Sequence, residues 1–193
     1  MSEENEGGGR NIARRTFLQA SGSVMGAAAI GFPSGARARS LTHDEFTALD
    51  AVGLAALIRQ GEVSAAEVLE AAITRAGAVN PVINAIVLKH YDRARKAVAG
   101  GAPTGALAGV PWLLKDLGTY LKGTITTGGS AFFRDAVSGY DSTIVERYRR
   151  GGLVIFGKTA TPEFGQTATT ESRLWGLIRN PWNLDHTTGG SSG

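Results

Sequence analysis

Lys115, Ser191 and Ser192 are the side chains whose types and settings could do chemistry in this sequence. Lys115 closes the run Val110-Pro111-Trp112-Leu113-Leu114, which is apolar at both parities. Side chains alternate along a strand, so such a run predicts a strand with both faces covered. Burial disfavours a charged ammonium and favours the neutral amine that a lysine base needs. The competing reading is a lysine that leaves the strand end and reaches water by its flexible stem. Asp116 follows and points to the other face if the strand continues, which suits a structural hydrogen-bond acceptor better than a catalyst.

Ser191 and Ser192 lie in Gly189-Gly190-Ser191-Ser192-Gly193, a run too flexible for a helix or strand interior. It can press hydroxyls and bare backbone amides against a ligand. Serine is a weak nucleophile until a base takes its proton. His186, five residues before Ser191, is one candidate base and Lys115 is the other. A plain Gly/Ser linker is the alternative, but the turn Asn180-Pro181-Trp182-Asn183 just upstream, with its bulky expected anchor, is unlike a linker. Termini are usually polar tails or docked elements, so the expectation is a chain cut through an active site.

Gly152 to Thr159 matches the bare string of a phosphate-binding loop. The residues between its glycines are Leu153-Val154-Ile155-Phe156, which a loop would expose. A buried strand ending at Gly157-Lys158-Thr159 is the better expectation.

The elements that must position these groups follow from periodicity and caps. Asp44 to Gln60 has apolar residues at helical spacing and Gly61 to end it. Ser64-Ala65-Ala66-Glu67 is a capping box opening a second helix, which Asn80-Pro81 ends. A short strand within 83–88, a helix over 91–99, and a Gly/Thr-rich loop over 118–140 come next. A helix then runs from Asp141-Ser142 to Arg150, stopped by Gly151-Gly152. After Thr159 the chain reads as mostly irregular, with one short helix near Pro162-Glu163-Phe164. Helices alternating with apolar strands predict an α/β fold with a sheet covered on both faces. Trp175, Phe132 and Phe133 are candidates to line a pocket, with packing in the core the stronger expectation for each.

The 193 residues are 42% hydrophobic and 19% charged, enough for one domain with a real core. The net charge is +3, and the N-terminal stretch carries much of it through Arg10, Arg14, Arg15, Arg37 and Arg39. The remainder has no nucleic-acid footprint. There is no cysteine, which excludes thiol catalysis and Cys-based zinc sites. His43, His90 and His186 show no ligand spacing, and no cofactor is expected. Residues 14–18, Arg-Arg-Thr-Phe-Leu, precede a short apolar stretch from Val24 to Phe32 and an Ala36-Arg37-Ala38 cleavage pattern. They resemble a bacterial twin-arginine export signal. The expectation is a signal peptide over 1–38, the export machinery as partner, a periplasmic or secreted product, and no stable membrane span.

Four blocks in order resemble the amidase signature family: Gly109 to Asp116, Gly157 to Thr159 with Pro162-Glu163-Phe164, Asn180-Pro181-Trp182, and Gly189 to Gly193. The likeness runs from about residue 47 to the end. Leu113 to Asp116, Thr169-Thr170-Glu171 and Trp175-Gly176 look closest to hydrolases of cyclic aminohexanoate oligoamides. The resemblance implies the mixed-sheet amidase fold over 39–193, truncated, and hydrolysis of a small amide by a Ser, cis-Ser, Lys triad. It implies Lys115 as base, Ser191 as bridging serine beside a cis peptide, and Gly189, Gly190 and Ser192 as a substrate and oxyanion loop. The attacking serine of the family lies further along, so this piece is expected to be inactive alone. Two rivals remain: the amidotransferase branch of the same family, which acts on charged tRNA, and a ligand-binding fragment without catalysis.

Overall fold

The computed structural model describes residues 41–192, so the expected export signal lies outside the described residues. Local sequence sets the first three helices. Thr42 and Glu45 form a capping box that opens α1, His43–Ala48. The single helix expected over 44–60 is two. Asp50 takes an extended conformation and its carboxylate accepts from the Gly53 amide at 2.8 Å, starting α2, Ala51–Gln60. A good N-cap side chain inside the apolar pattern thus outweighed the periodicity. Gly61 ends α2 at φ 74°, as expected of a C-terminal glycine.

The Ser64–Glu67 capping box opens α3, Ala65–Ile83. This helix does not stop at Asn80-Pro81 but carries Pro81 inside its last turn. So near the end, proline removes one backbone bond and leaves the rest of the helix intact. Asn84 closes α3 in the left-handed region, and the Asn80 side chain grips both the amide and the carbonyl of Ile86. Those two bonds turn the chain into the first strand.

Three strands form a mixed sheet: β1, Ile86–Lys89; β2, Pro111–Lys115; and β3, Val154–Thr159. The spatial order is β1-β3-β2, with β1 antiparallel and β2 parallel to β3. The central strand β3 is buried from Val154 through Lys158. Within the Gly152 to Thr159 string, Val154–Thr159 is therefore strand and not a phosphate loop, as the apolar residues between its glycines demanded. Gly157 must be glycine here, because a Cβ would lie 2.7 Å from the Leu88 carbonyl oxygen.

Helices α4, Tyr91–Val98, and α5, Thr143–Arg150, complete the packing. One apolar cluster joins Leu69, Ala72 and Ala76 of α3 and Ala94 and Val98 of α4 to Ile86, Val154 and Phe156. A second joins Val145 of α5 to Leu114, Ile155 and Leu121, with Trp112 and Tyr148 at its edge. A third gathers Leu54 and Ala55 of α2 with Val63, Val68, Val110 and Leu153. Burying each large aliphatic side chain contributes about 1.5–3 kcal/mol, so the three clusters hold the sheet.

The long loop over 118–140 is present, interrupted by a 3₁₀ turn at Ala131–Phe133 and one bridge between Ile125 and Val137. Beyond β3, the irregular tail contains a 3₁₀ turn at Glu163–Gly165 and two small hairpins. These pair β4, Glu171–Ser172, with β5, Gly176–Leu177, and β6, Arg179–Asn180, with β7, Asn183–Thr187. Strands this short and polar carry no periodic signal. Three aromatic expectations need correction. Phe132 is 86% exposed and Trp182 91% exposed, so neither packs in a core or anchors a turn, and Phe133 is also exposed.

Candidate active site

The end of β2 delivers Lys115. Its Nζ donates to the Ser191 hydroxyl at 2.8 Å, across 76 residues of chain. The loop expectation and the strand expectation therefore meet at one contact. Both residues are half-buried, so Lys115 turns inward and does not reach for solvent. His186, the other candidate base, sits exposed on β7, while the Ser191 hydroxyl is engaged by Lys115.

The backbone around Ser191 is held from several sides. The buried Thr161 hydroxyl donates to the Ser191 carbonyl at 3.1 Å. The Thr170 hydroxyl donates to the Gly189 carbonyl at 2.6 Å, and the Thr188 hydroxyl reaches the same oxygen at 3.1 Å. Gly190 lies against the chain at Thr169, whose carbonyl oxygen would be 2.7 Å from any Cβ. That close approach requires glycine. The peptide between Gly190 and Ser191 is cis. Ser192 is exposed beside Ser191.

Gly165 closes the other side. A Cβ there would come within 2.8 Å of Leu117 Cδ2 and 3.5 Å of Ser191 Oγ. Phe164, just before it, takes φ 53°, an unusual conformation for a bulky side chain, and its amide donates to the Gly128 carbonyl at 2.7 Å. The Phe164 ring meets Phe133 edge-on at 6.1 Å. Together with Leu117, Tyr120, Val137 and Tyr140 these rings line a cavity of about 310 Å³.

Asp116 behaves as the alternation of β2 requires. It is fully buried and accepts from the Thr127 amide at 2.9 Å, from the Thr127 hydroxyl, and from the Trp175 indole at 3.2 Å. Trp175 is thus a hydrogen-bond donor to a buried carboxylate as well as an apolar body. Its bond ties the β4–β5 hairpin to the end of β2.

Lys158 escapes sequence reasoning as a site residue, because its surroundings suggest only a phosphate-loop string. It is wholly buried on β3, opposite Leu114 in the parallel register. Its Nζ donates to the Thr126 hydroxyl and to the Thr119 carbonyl at 3.3 Å. Burial pushes its pKa down to about 8, opposed by the negative charge of Asp116. A lysine inside an otherwise apolar central strand is the signal that could have found it. Nearby, His90 has a buried Nε2 without a hydrogen-bond partner among the described residues. Burial first, then the charges of Lys158 and Arg93, hold its pKa at about 4.

Among the described residues, no group of three His, Cys, Asp or Glu side chains could hold a metal ion. No described helix is long and apolar enough to cross a membrane. The groups that meet at the site are an amine, a hydroxyl and a framework of threonines and glycines.

Comparison with known proteins places this geometry. The family model described as amidase matches residues 67–193. A 6-aminohexanoate-cyclic-dimer hydrolase of Paenarthrobacter ureafaciens is 45% identical over 148 residues, which cover 75% of this chain and 29% of that protein. A glutamyl-tRNA(Gln) amidotransferase subunit of Acidothermus cellulolyticus is 43% identical over 150 residues, covering 74% of this chain and 30% of the relative. A solved structure of 6-aminohexanoate cyclic dimer hydrolase superposes with a TM-score of 0.71 at 43% identity, covering 75% of this chain and 30% of that one. The chain thus spans about three tenths of the length of these relatives. The match over most of its folded residues establishes that the chain belongs to the amidase signature family.

Proposed function

We propose that the complete protein is an amidase that hydrolyses a carbon–nitrogen bond of a small amide, linear or cyclic, through a Ser, cis-Ser, Lys relay. The observation that carries this reading is the 2.8 Å contact between Lys115 Nζ and Ser191 Oγ. Lys115 in its neutral form accepts the proton of Ser191 while Ser191 accepts that of an attacking serine. The attacking serine comes from a part of the protein beyond these 193 residues. It attacks the amide carbonyl, the amine leaves, and water hydrolyses the acyl-enzyme. Backbone amides of the glycine loop at Gly189, Gly190 and Ser192 hold the developing oxyanion, aided by glycines of the later segment.

The similar hydrolases named for 6-aminohexanoate cyclic dimer favour an amide built from an amino acid with a flexible apolar chain. In the complete protein, residues 39–193 form the first part of an amidase domain whose sheet has helices on both faces. The twin-arginine pattern of residues 14–18 supports export through that machinery to the periplasm or medium.

The transamidase branch is the second reading, favoured by the 43% identity to the amidotransferase of Acidothermus cellulolyticus. Export argues against it. A third reading is a fragment that binds a small amide without turning it over. Lys115→Ala in the full-length protein tests the first reading: amide hydrolysis is lost while the fold persists, and retained turnover removes Lys115 as the base. N-terminal sequencing of the product from the medium or periplasm tests export.

A further inference from the structure

The buried cation of Lys158 has no place in the relay. We propose that Lys158 is a positioning residue that clamps the 116–128 segment and so holds Lys115 against Ser191. The inference rests on the relay reading for what is positioned, and on the geometry for how.

A fully buried ammonium without a hydrogen-bonded carboxylate is costly, and it is tolerated when it satisfies buried acceptors. Lys158 Nζ satisfies two, the Thr119 carbonyl and the Thr126 hydroxyl. Each starts a path to the site. The Thr119 hydroxyl donates to the Lys115 carbonyl, fixing the backbone that carries the amine. Thr126 precedes Thr127, which binds Asp116 through both its amide and its hydroxyl. The Asp116 carbonyl accepts from the Gly128 amide at 2.9 Å, and the Gly128 carbonyl accepts from Phe164 at 2.7 Å. Phe164 leads into Gly165, which abuts the Ser191 hydroxyl. One path therefore ends on each member of the Lys115–Ser191 pair. The Thr126 hydroxyl also lies 3.2 Å from the Ser138 hydroxyl, which brings the far arm of the loop into the same knot.

The test uses the full-length protein with two variants. Lys158→Met keeps the length of the side chain and removes its donors. Thr119→Val leaves Lys158 in place and cuts only the link to the Lys115 carbonyl. Misplacement of a reacting group by about 1 Å can cost roughly 100-fold in rate. Both variants are expected to lower kcat about 10-fold or more with KM changed less than about threefold. Lys158→Gln, which restores one donor, is expected to recover part of the loss. In crystals of either variant, the Lys115 Nζ to Ser191 Oγ separation is expected to open beyond about 3.5 Å. Wild-type kcat in Thr119→Val with the contact intact overturns the proposal, even if Lys158→Met does not fold. A fall in melting temperature with unchanged kcat in Lys158→Met also overturns it. If the wild-type protein hydrolyses no amide, the relay reading fails, and the crystallographic distance still decides the clamp.

Discussion

Lys115 ends β2 and Lys158 lies one residue before the end of its parallel neighbour β3, with Leu114 opposite Lys158 and Lys115 opposite Thr159. Both follow apolar runs, and both carry the same side chain. Alternation sends them to opposite faces of the sheet. Lys115 meets a loop that arrives 76 residues later and offers a serine hydroxyl. Lys158 meets the segment that leaves β2 and offers a threonine hydroxyl and a backbone carbonyl, with Asp116 as the nearby negative charge. The first lysine is half-buried, and the second is sealed. The residue type thus leaves the role open, and the partner reached by each face decides it.

That contrast can be broken at several points. The largest effect is expected at Lys115→Ala, a loss on the order of 10³-fold or more in kcat for amide hydrolysis by the full-length protein. Steady-state assay with a small amide checks it. Ser191→Ala is expected to cost a large but smaller factor, because a water can occupy the bridging position. Equal rates for Ser191→Ala and wild type would remove Ser191 from the relay.

On the other face the expected effect is on stability. Asp116→Asn replaces one acceptor oxygen by an amide that opposes the donors of Thr127 and Trp175, and it removes the charge that offsets Lys158. A loss of about 1–3 kcal/mol in urea unfolding is expected. A variant as stable as wild type would mean that these bonds contribute nothing net.

The pH dependence separates the lysines further. Lys158 has a folded pKa of about 8 against 10.5 for an ordinary lysine. The unfolded chain therefore binds more protons between those values, and stability rises with pH across that window. The rise should vanish in Lys158→Met. His90, held at about 4 against 6.5, works in the acid range. Its contribution is present above pH 6.5 and is lost as pH falls towards 4. His90→Gln should flatten that part of the unfolding curve. An unchanged slope in His90→Gln would assign the acid loss to other groups.

Much of the site was legible before the fold. The apolar run before Lys115 reported a strand, and Gly189 to Gly193 reported a loop built for close backbone approach. Asp116 was readable as an acceptor from alternation alone. Other features were not. The kink at Leu49-Asp50 hid inside a helical pattern, and the hairpins β4–β5 and β6–β7 are too short for periodicity to register. Phe132 looked like a core residue and Trp182 like an anchor, because size and apolarity suggest burial. Each stands exposed where nothing among the described residues covers it.

Local sequence alone determined the caps of α2 and α3, the apolar strands and the chemistry on offer, because these depend on neighbours a few residues away. Tertiary structure decided which hydroxyl faces which amine. Lys115 and Ser191 are far apart along the chain, and only the register of β2 on β3 and the threonine-held path of the last loop bring them within hydrogen-bond reach. The same holds for Lys158. Its strand position was readable, but the acceptors that make a buried charge tolerable come from a loop whose path no local rule dictates.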